Sequence, residues 1–179
     1  TSSVLSDNEY INYRKEYQKH FNLEDDTISF VYSGGVESWQ CVQETIDLFR
    51  SISSQLDVKS KLFVFSYEVD KAKEMVGNDN RIVVDSFSAK ELKKALCALD
   101  FAFMIRKDTV TNNVAFPNKF LEYTNARLSI ITTPYVYDIA EQIKQFKLGY
   151  IYDFEDDFSG LVNYVKENKD SRLPSSVVN

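Results

Sequence analysis

Two residues of opposite charge, Lys119 and Glu122, stand three positions apart in Phe116-Pro117-Asn118-Lys119-Phe120-Leu121-Glu122-Tyr123. A proline suits the first turn of a helix, so a helix starting at Pro117 would carry both side chains on one face. Phe116, just before it, offers no oxygen to cap the first amides, which leaves those donors open to an anion at the positive end of the helix dipole. Asn118 would lie in that first turn, and Lys119 would add a mobile point charge suited to phosphate. Glu122, one turn on, could accept hydrogen bonds from two neighbouring hydroxyls, as a carboxylate does with ribose. The same pair also fits an ordinary solvated helix face, and both readings stay open at this point. Gly34-Gly35 directly follows the β-rich run Ile28-Ser29-Phe30-Val31-Tyr32, where it either admits a ligand close to the backbone or makes a strand-to-helix turn.

Other chemistries are thinly provided for. The single histidine is His20, in a polar stretch, and no serine occupies a Gly-x-Ser-x-Gly elbow, so no nucleophilic triad assembles. There is no Gly-x-x-x-x-Gly-Lys-Ser/Thr loop, and Gly34-Gly35 lacks the third glycine of the dinucleotide fingerprint. Cys41 and Cys97 fall in helix-like stretches and cannot supply a zinc quartet; no metal site is expected, and both thiols read as small buried residues of a reducing compartment. Trp39, Tyr123 and Phe87, taken as residues alone, read as core. The net charge of -6 argues against nucleic acid as a partner. No apolar run approaches the ~20 residues of a membrane span, and Thr1-Ser2-Ser3 resembles no signal peptide, so cytoplasmic residence is expected. The first residue is not methionine, as in an excised fragment or a processed chain.

The elements that would position these residues alternate in type. A polar helix over Asn8 to Phe21 precedes a strand at Ile28 to Tyr32, and Ser38 is expected to cap a helix carrying Val42, Ile46 and Phe49 at helical spacing. Strands follow at Leu62 to Phe65 and Arg81 to Val84, with a charged helix at Lys71 to Val76 between them and Leu92, Leu96 and Leu99 at helical spacing after. Phe101-Ala102-Phe103-Met104-Ile105 is apolar without alternation, the mark of a strand buried on both faces at a sheet centre. Leu128 to Thr132, a helix through Ile139, Ile143 and Phe146, a strand at Gly149 to Tyr152 and a helix near Leu161 to Lys166 complete the chain. Strand–helix alternation with short connections implies right-handed crossovers in an α/β, doubly wound parallel sheet. Residues 1–26 read as a leading helical segment, 27–170 as the Rossmann-like domain and 171–179 as a loose tail.

The passage from Phe116 to Tyr123, followed by Ala126-Arg127-Leu128-Ser129-Ile130-Ile131-Thr132-Thr133, resembles the Pro-x-Lys-x-x-Glu-Tyr and apolar-strand stretch of GT-B glycosyltransferases, in particular the group-1 retaining branch of bacterial surface polysaccharide synthesis. Val31-Tyr32-Ser33-Gly34-Gly35-Val36-Glu37-Ser38-Trp39-Gln40 is similar to that branch's first strand and glycine loop, and Leu99 to Arg106 to its strand before the donor loop. The resemblance spans roughly Ile28 to Tyr152. It implies one Rossmann-like half of a two-domain enzyme, the donor-binding half, with the N-terminal acceptor domain outside this sequence.

By that resemblance Gly34 and Gly35 lie close to the diphosphate of a UDP- or GDP-linked sugar, and Asn118 and Lys119 present helix-start amides and a cation. Glu122 holds the ribose, Ser86-Phe87-Ser88 borders the base, and Arg106 with Asn113 faces the phosphate or sugar. No obligatory cofactor or metal is implied; the nucleotide sugar is substrate, and a glycan or lipid-linked acceptor is the partner, met in the cytoplasm or at the inner face of the membrane. No catalytic residue is assignable. One departure is Val114, where many members of the branch carry an acidic residue. It keeps a non-catalytic regulatory or scaffold module in view; half of a nucleotide-sugar epimerase, which shares the two-domain architecture but resembles this motif less well, is a third class.

Overall fold

The computed structural model describes residues 4–109 and 118–169. Six strands, β1 (Ile28–Ser33), β2 (Ser60–Phe65), β3 (Ile82–Asp85), β4 (Phe101–Met104), β5 (Ser129–Thr132) and β6 (Gly149–Ile151), form one sheet in the order β3-β2-β1-β4-β5-β6. All five pairings are parallel. The apolar run at Phe101 does lie at the centre, and Phe101, Ala102, Phe103, Met104 and Ile105 are all buried.

Helices cover both faces, and the alternation of side chains along each strand decides which. Val31, Phe63, Phe65, Ala102, Met104 and Ile130 point into one core, under α1 (Asp7–His20), α4 (Ala89–Ala95), α5 (Asn118–Asn125) and α6 (Tyr137–Phe146). Phe30, Tyr32, Leu62, Val64, Phe101, Phe103 and Ile131 point into the other, under α2 (Val42–Ser53), α3 (Val69–Val76) and α7 (Ser159–Asn168). Double coverage is what turns the strands into continuous hydrophobic runs. The leading helix α1 is capped by Ser6 in a reciprocal box with Glu9 and buries Tyr10 and Tyr17 in the first core.

The connections after β1 differ from expectation. Ser38 does not cap α2; it opens a 3₁₀ turn, Ser38–Gln40, and α2 starts at Val42 with no side-chain cap. Between them Cys41 takes the left-handed conformation, φ 55°. The turn places Ser38 four residues ahead of the first residue of α2, and Cys41 takes the N-cap position instead. Leu96 likewise belongs to a 3₁₀ turn, Leu96–Ala98, which ends α4 and leaves Leu99 extended.

The order of the strands reverses between β1 and β4, and such a switch point opens a crevice at the carboxyl ends. β1 pairs with β4 only at Phe30 and Val31. Beyond them the β1 backbone loses its strand neighbour on that side, and the Tyr123 hydroxyl of α5 takes its place, accepting from Ser33 N at 3.0 Å. Tyr123 is thus the buried core residue expected of it, with its phenol pushed upward chiefly by burial.

Candidate functional site

The site is assembled from the ends of three adjacent strands and the start of one helix. After Ser33 the chain turns at Gly34, whose φ of 149° few side chains tolerate. Gly34 N still donates to Phe65 O at 3.0 Å, so the turn is pinned to the end of β2. The Tyr32 hydroxyl, buried and raised to about 12 mainly by loss of solvation, donates to Gly35 O at 2.6 Å. Lys119, in the first turn of α5, reaches across to this turn: its Nζ donates to Ser33 Oγ at 3.3 Å and to Glu122 Oε2 at 3.0 Å. The pair predicted from spacing therefore exists, and it faces the glycine turn.

Two adjoining cavities flank Lys119, which lines both. The first, of about 30 Å³, is lined by Ser33, Gly34, Ser66, Phe87 and Lys119, among others, and has room for little more than ordered water. The second, of about 220 Å³, lies between α4 and α5 and is bounded by Leu92, Leu96, Lys93, Lys119, Glu122 and Asn125. Tyr67 and Leu92 belong to both walls, and of the two only the second has the volume for a bulky planar group. Glu122 is 42% exposed and Lys119 28%, so both remain within reach of a ligand.

Phe87 stands between the core and the first cavity. It is half-buried, packs edge-on to Phe65 at 5.0 Å between ring centroids, and still lines the first cavity. From the far side Tyr17, His20 and Phe21 of the α1 region surround the same ring. The loop before α4 is fixed further by Ser88 Oγ, which accepts from Glu91 N at 3.3 Å.

Gly34, Gly35 and Arg106 are packed against neighbouring residues, and a Cβ on Gly34 would meet Tyr32 Oη at 3.0 Å. An added Cβ on Gly35 would meet Gln40 Oε1 at 2.8 Å and Glu68 Oε2 at 3.4 Å, so the space beside this glycine is taken by the protein's own side chains. Glu68 also accepts from Val36 N at 2.9 Å, a bond that, with Lys71, holds its carboxyl below the usual range. Arg106 is 5% exposed, and its Nη1 donates to the carbonyls of Gln40, at 3.0 Å, and Ile105, at 2.9 Å. It borders neither cavity. Trp39, expected in the core, is instead 51% exposed, because it sits on the outward side of a short 3₁₀ turn rather than on a helix face.

Asn118 is the exposed first residue of α5; Asn113, Val114, Phe116, Pro117 and the expected tail after Arg172 lie outside the described residues. Sequence reading did not single out Ser66, Tyr67 or Leu92. Ser66 and Tyr67 follow a strand with no glycine or proline to mark them, and Leu92 was legible only as one of a helical series. Cys41 and Cys97 are both buried and free, and burial raises both thiols. Among the described residues no cluster of His, Cys, Asp or Glu is arranged to hold a metal ion, and no helix is long and apolar enough to cross a membrane.

No protein-family model and no curated protein matches the chain in sequence. Solved structures do match it in shape. WaaG, a glycosyltransferase involved in lipopolysaccharide biosynthesis, aligns over 98% of this chain with a TM-score of 0.63 at 16% identity, and the chain spans 47% of its length. The C-terminal domain of the glycosyl transferase group 1 family protein LpcC from Francisella tularensis aligns over 92% with a TM-score of 0.62 at 15% identity, and is itself 85% covered. The N-terminal domain of Candida albicans trehalose-6-phosphate phosphatase aligns over 98%, at 0.59 and 11%, and is 42% covered. With identities this low the likeness is one of fold. The chain folds as a Rossmann-like α/β domain of the kind that makes one half of a GT-B glycosyltransferase.

Proposed function

We propose that the chain is the donor-binding domain of a glycosyltransferase that moves a sugar from a nucleotide diphosphate sugar to a glycan or lipid-linked acceptor, with retention at the anomeric carbon. The observation that carries the reading is Lys119 Nζ, which joins the start of α5 to Ser33 at the glycine turn, between a small polar cavity and a larger, partly apolar one. The diphosphate lies against Lys119, Gly34 and the first amides of α5 at Asn118. The nucleoside lies along the adjoining cavities, with Phe87 and Leu92 beside the base and Glu122 receiving the ribose hydroxyls. As the bond to the sugar breaks, charge gathers on the leaving diphosphate, and a fixed cation with helix-start amides favours that state over the ground state. The reading assigns no obligatory metal or cofactor. Acceptor positioning belongs to an N-terminal domain beyond this sequence, so the domain by itself binds donor and scarcely turns it over.

Calorimetric titration with UDP, GDP and uridine tests this. One diphosphate is expected to bind, and Lys119→Ala to weaken it by more than it weakens the nucleoside, because the ammonium acts on charge. Failure of both UDP and GDP to bind the wild-type domain sinks the reading.

A further inference from the structure

Several aromatic rings are exposed, Tyr67, Tyr137 and Phe146 among them, but among the described residues Trp39 is the one of these whose ring a buried guanidinium supports. The Arg106 guanidinium lies 5.4 Å from its ring centroid and is itself immobilised by the two carbonyls it serves. Arg106 N donates to Thr133 Oγ1 at 2.9 Å, which ties the support to the end of β5. The turn that carries the indole is closed by Gln40 N on Glu37 O and by Cys41 N on Ser38 O, and its exit is the left-handed Cys41. A non-glycine residue in that conformation costs free energy that surrounding structure must offset, and such outliers concentrate where a side chain must be aimed. The turn is the continuation of Gly34-Gly35, at the carboxyl edge where ligands of such sheets sit.

We propose that Trp39 is a stacking platform for a pyranose ring, either the sugar carried by the donor or a residue of the acceptor glycan; that ligand class rests on the function proposed above. One face of a pyranose is a patch of weakly positive C–H groups, which suits the negative face of an indole. Its hydroxyls remain at the rim, where Glu37 and Ser38 are exposed beside the ring. Because Arg106 already fixes the indole, little side-chain freedom is lost when a sugar docks.

Trp39 is the only tryptophan, so its emission reports on this site alone. The domain is titrated with UDP, UDP-glucose, GDP, GDP-mannose and maltotriose, following tryptophan fluorescence and calorimetry together. A donor-side platform makes a nucleotide sugar perturb emission more than its bare nucleotide does; an acceptor-side platform makes maltotriose perturb it unaided. Trp39→Ala then removes the sugar-dependent gain in affinity while leaving UDP or GDP binding in place, and Trp39→Phe restores most of it. Nucleotide sugars that bind the wild type and Trp39→Ala equally, with emission unmoved by any sugar, overturn the platform and leave the donor reading standing. Maltotriose binding at Trp39 with neither nucleotide bound supports the platform and sinks the donor reading. Silence from all five ligands rejects both.

Discussion

Glu122 is a residue whose surroundings separate its function from its structural worth. Among the described residues its carboxylate pairs with Lys119 across a partly exposed helix face, an arrangement that contributes little to folding. A charged acceptor on ribose hydroxyls is worth more, roughly 1.5–3 kcal/mol, or about ten- to a hundredfold in affinity. Glu122→Ala is therefore expected to weaken UDP or GDP to that extent with its urea midpoint nearly unchanged. Equal affinities for mutant and wild type, measured by calorimetry, would remove Glu122 from the site. Arg106, which the resemblance turns toward the phosphate or sugar, is by contrast buried, and its Nη1 donates to the Gln40 and Ile105 carbonyls.

Among elements, β4 was the most legible, because a strand buried on both faces has no polar residues to obscure it. The facing of Lys119 and Glu122 was legible too, since three residues along a helix is nearly a full turn. The Ser38–Gln40 turn was not: a 3₁₀ turn is too short for any period, so Trp39 read as core and Ser38 as a cap. Nor could spacing reveal that Gln40 and Glu68 fill the space at Gly35, a contact between separate elements. A different glycine governs the sheet edge. A Cβ on Gly149 would lie 1.8 Å from Ile130 O, a backbone atom of the neighbouring strand that cannot turn aside. Gly149→Ala should thus push β6 from β5 and cost at least about 1–3 kcal/mol, the range of overpacked sites. Urea unfolding checks this, and a mutant within a few tenths of wild type would mean β6 is not needed for stability.

At the scale of the whole molecule, acid resistance depends in part on a cluster at the foot of α2. Asp79 accepts from Arg81 at 2.7 Å and from Arg50 at 3.1 Å, and the Arg81 hydrogen bond, then the remaining partners, hold its carboxyl well below the usual carboxylate range. A carboxyl depressed in the fold contributes stability that is complete above its unfolded value near ~4. That stability is lost as pH falls through the lower folded value. The two arginines remain 40% and 35% exposed, so water screens the pair and about 1 kcal/mol is a fitting scale. Asp79→Asn should lower stability at pH 7 by that amount and flatten its decline below pH ~4; parallel urea curves for mutant and wild type across that range would contradict the assignment. The two cysteines have a consequence of another kind. Cys97 belongs to the core under α1, α4, α5 and α6, and Cys41 to the core under α2, α3 and α7. With both thiols buried and kept from ionising, a thiol reagent reaches each only when its own layer opens. The protein thus carries a native clock on either side of its sheet: the two labelling rates, compared with and without UDP, show which layer a bound nucleotide quiets.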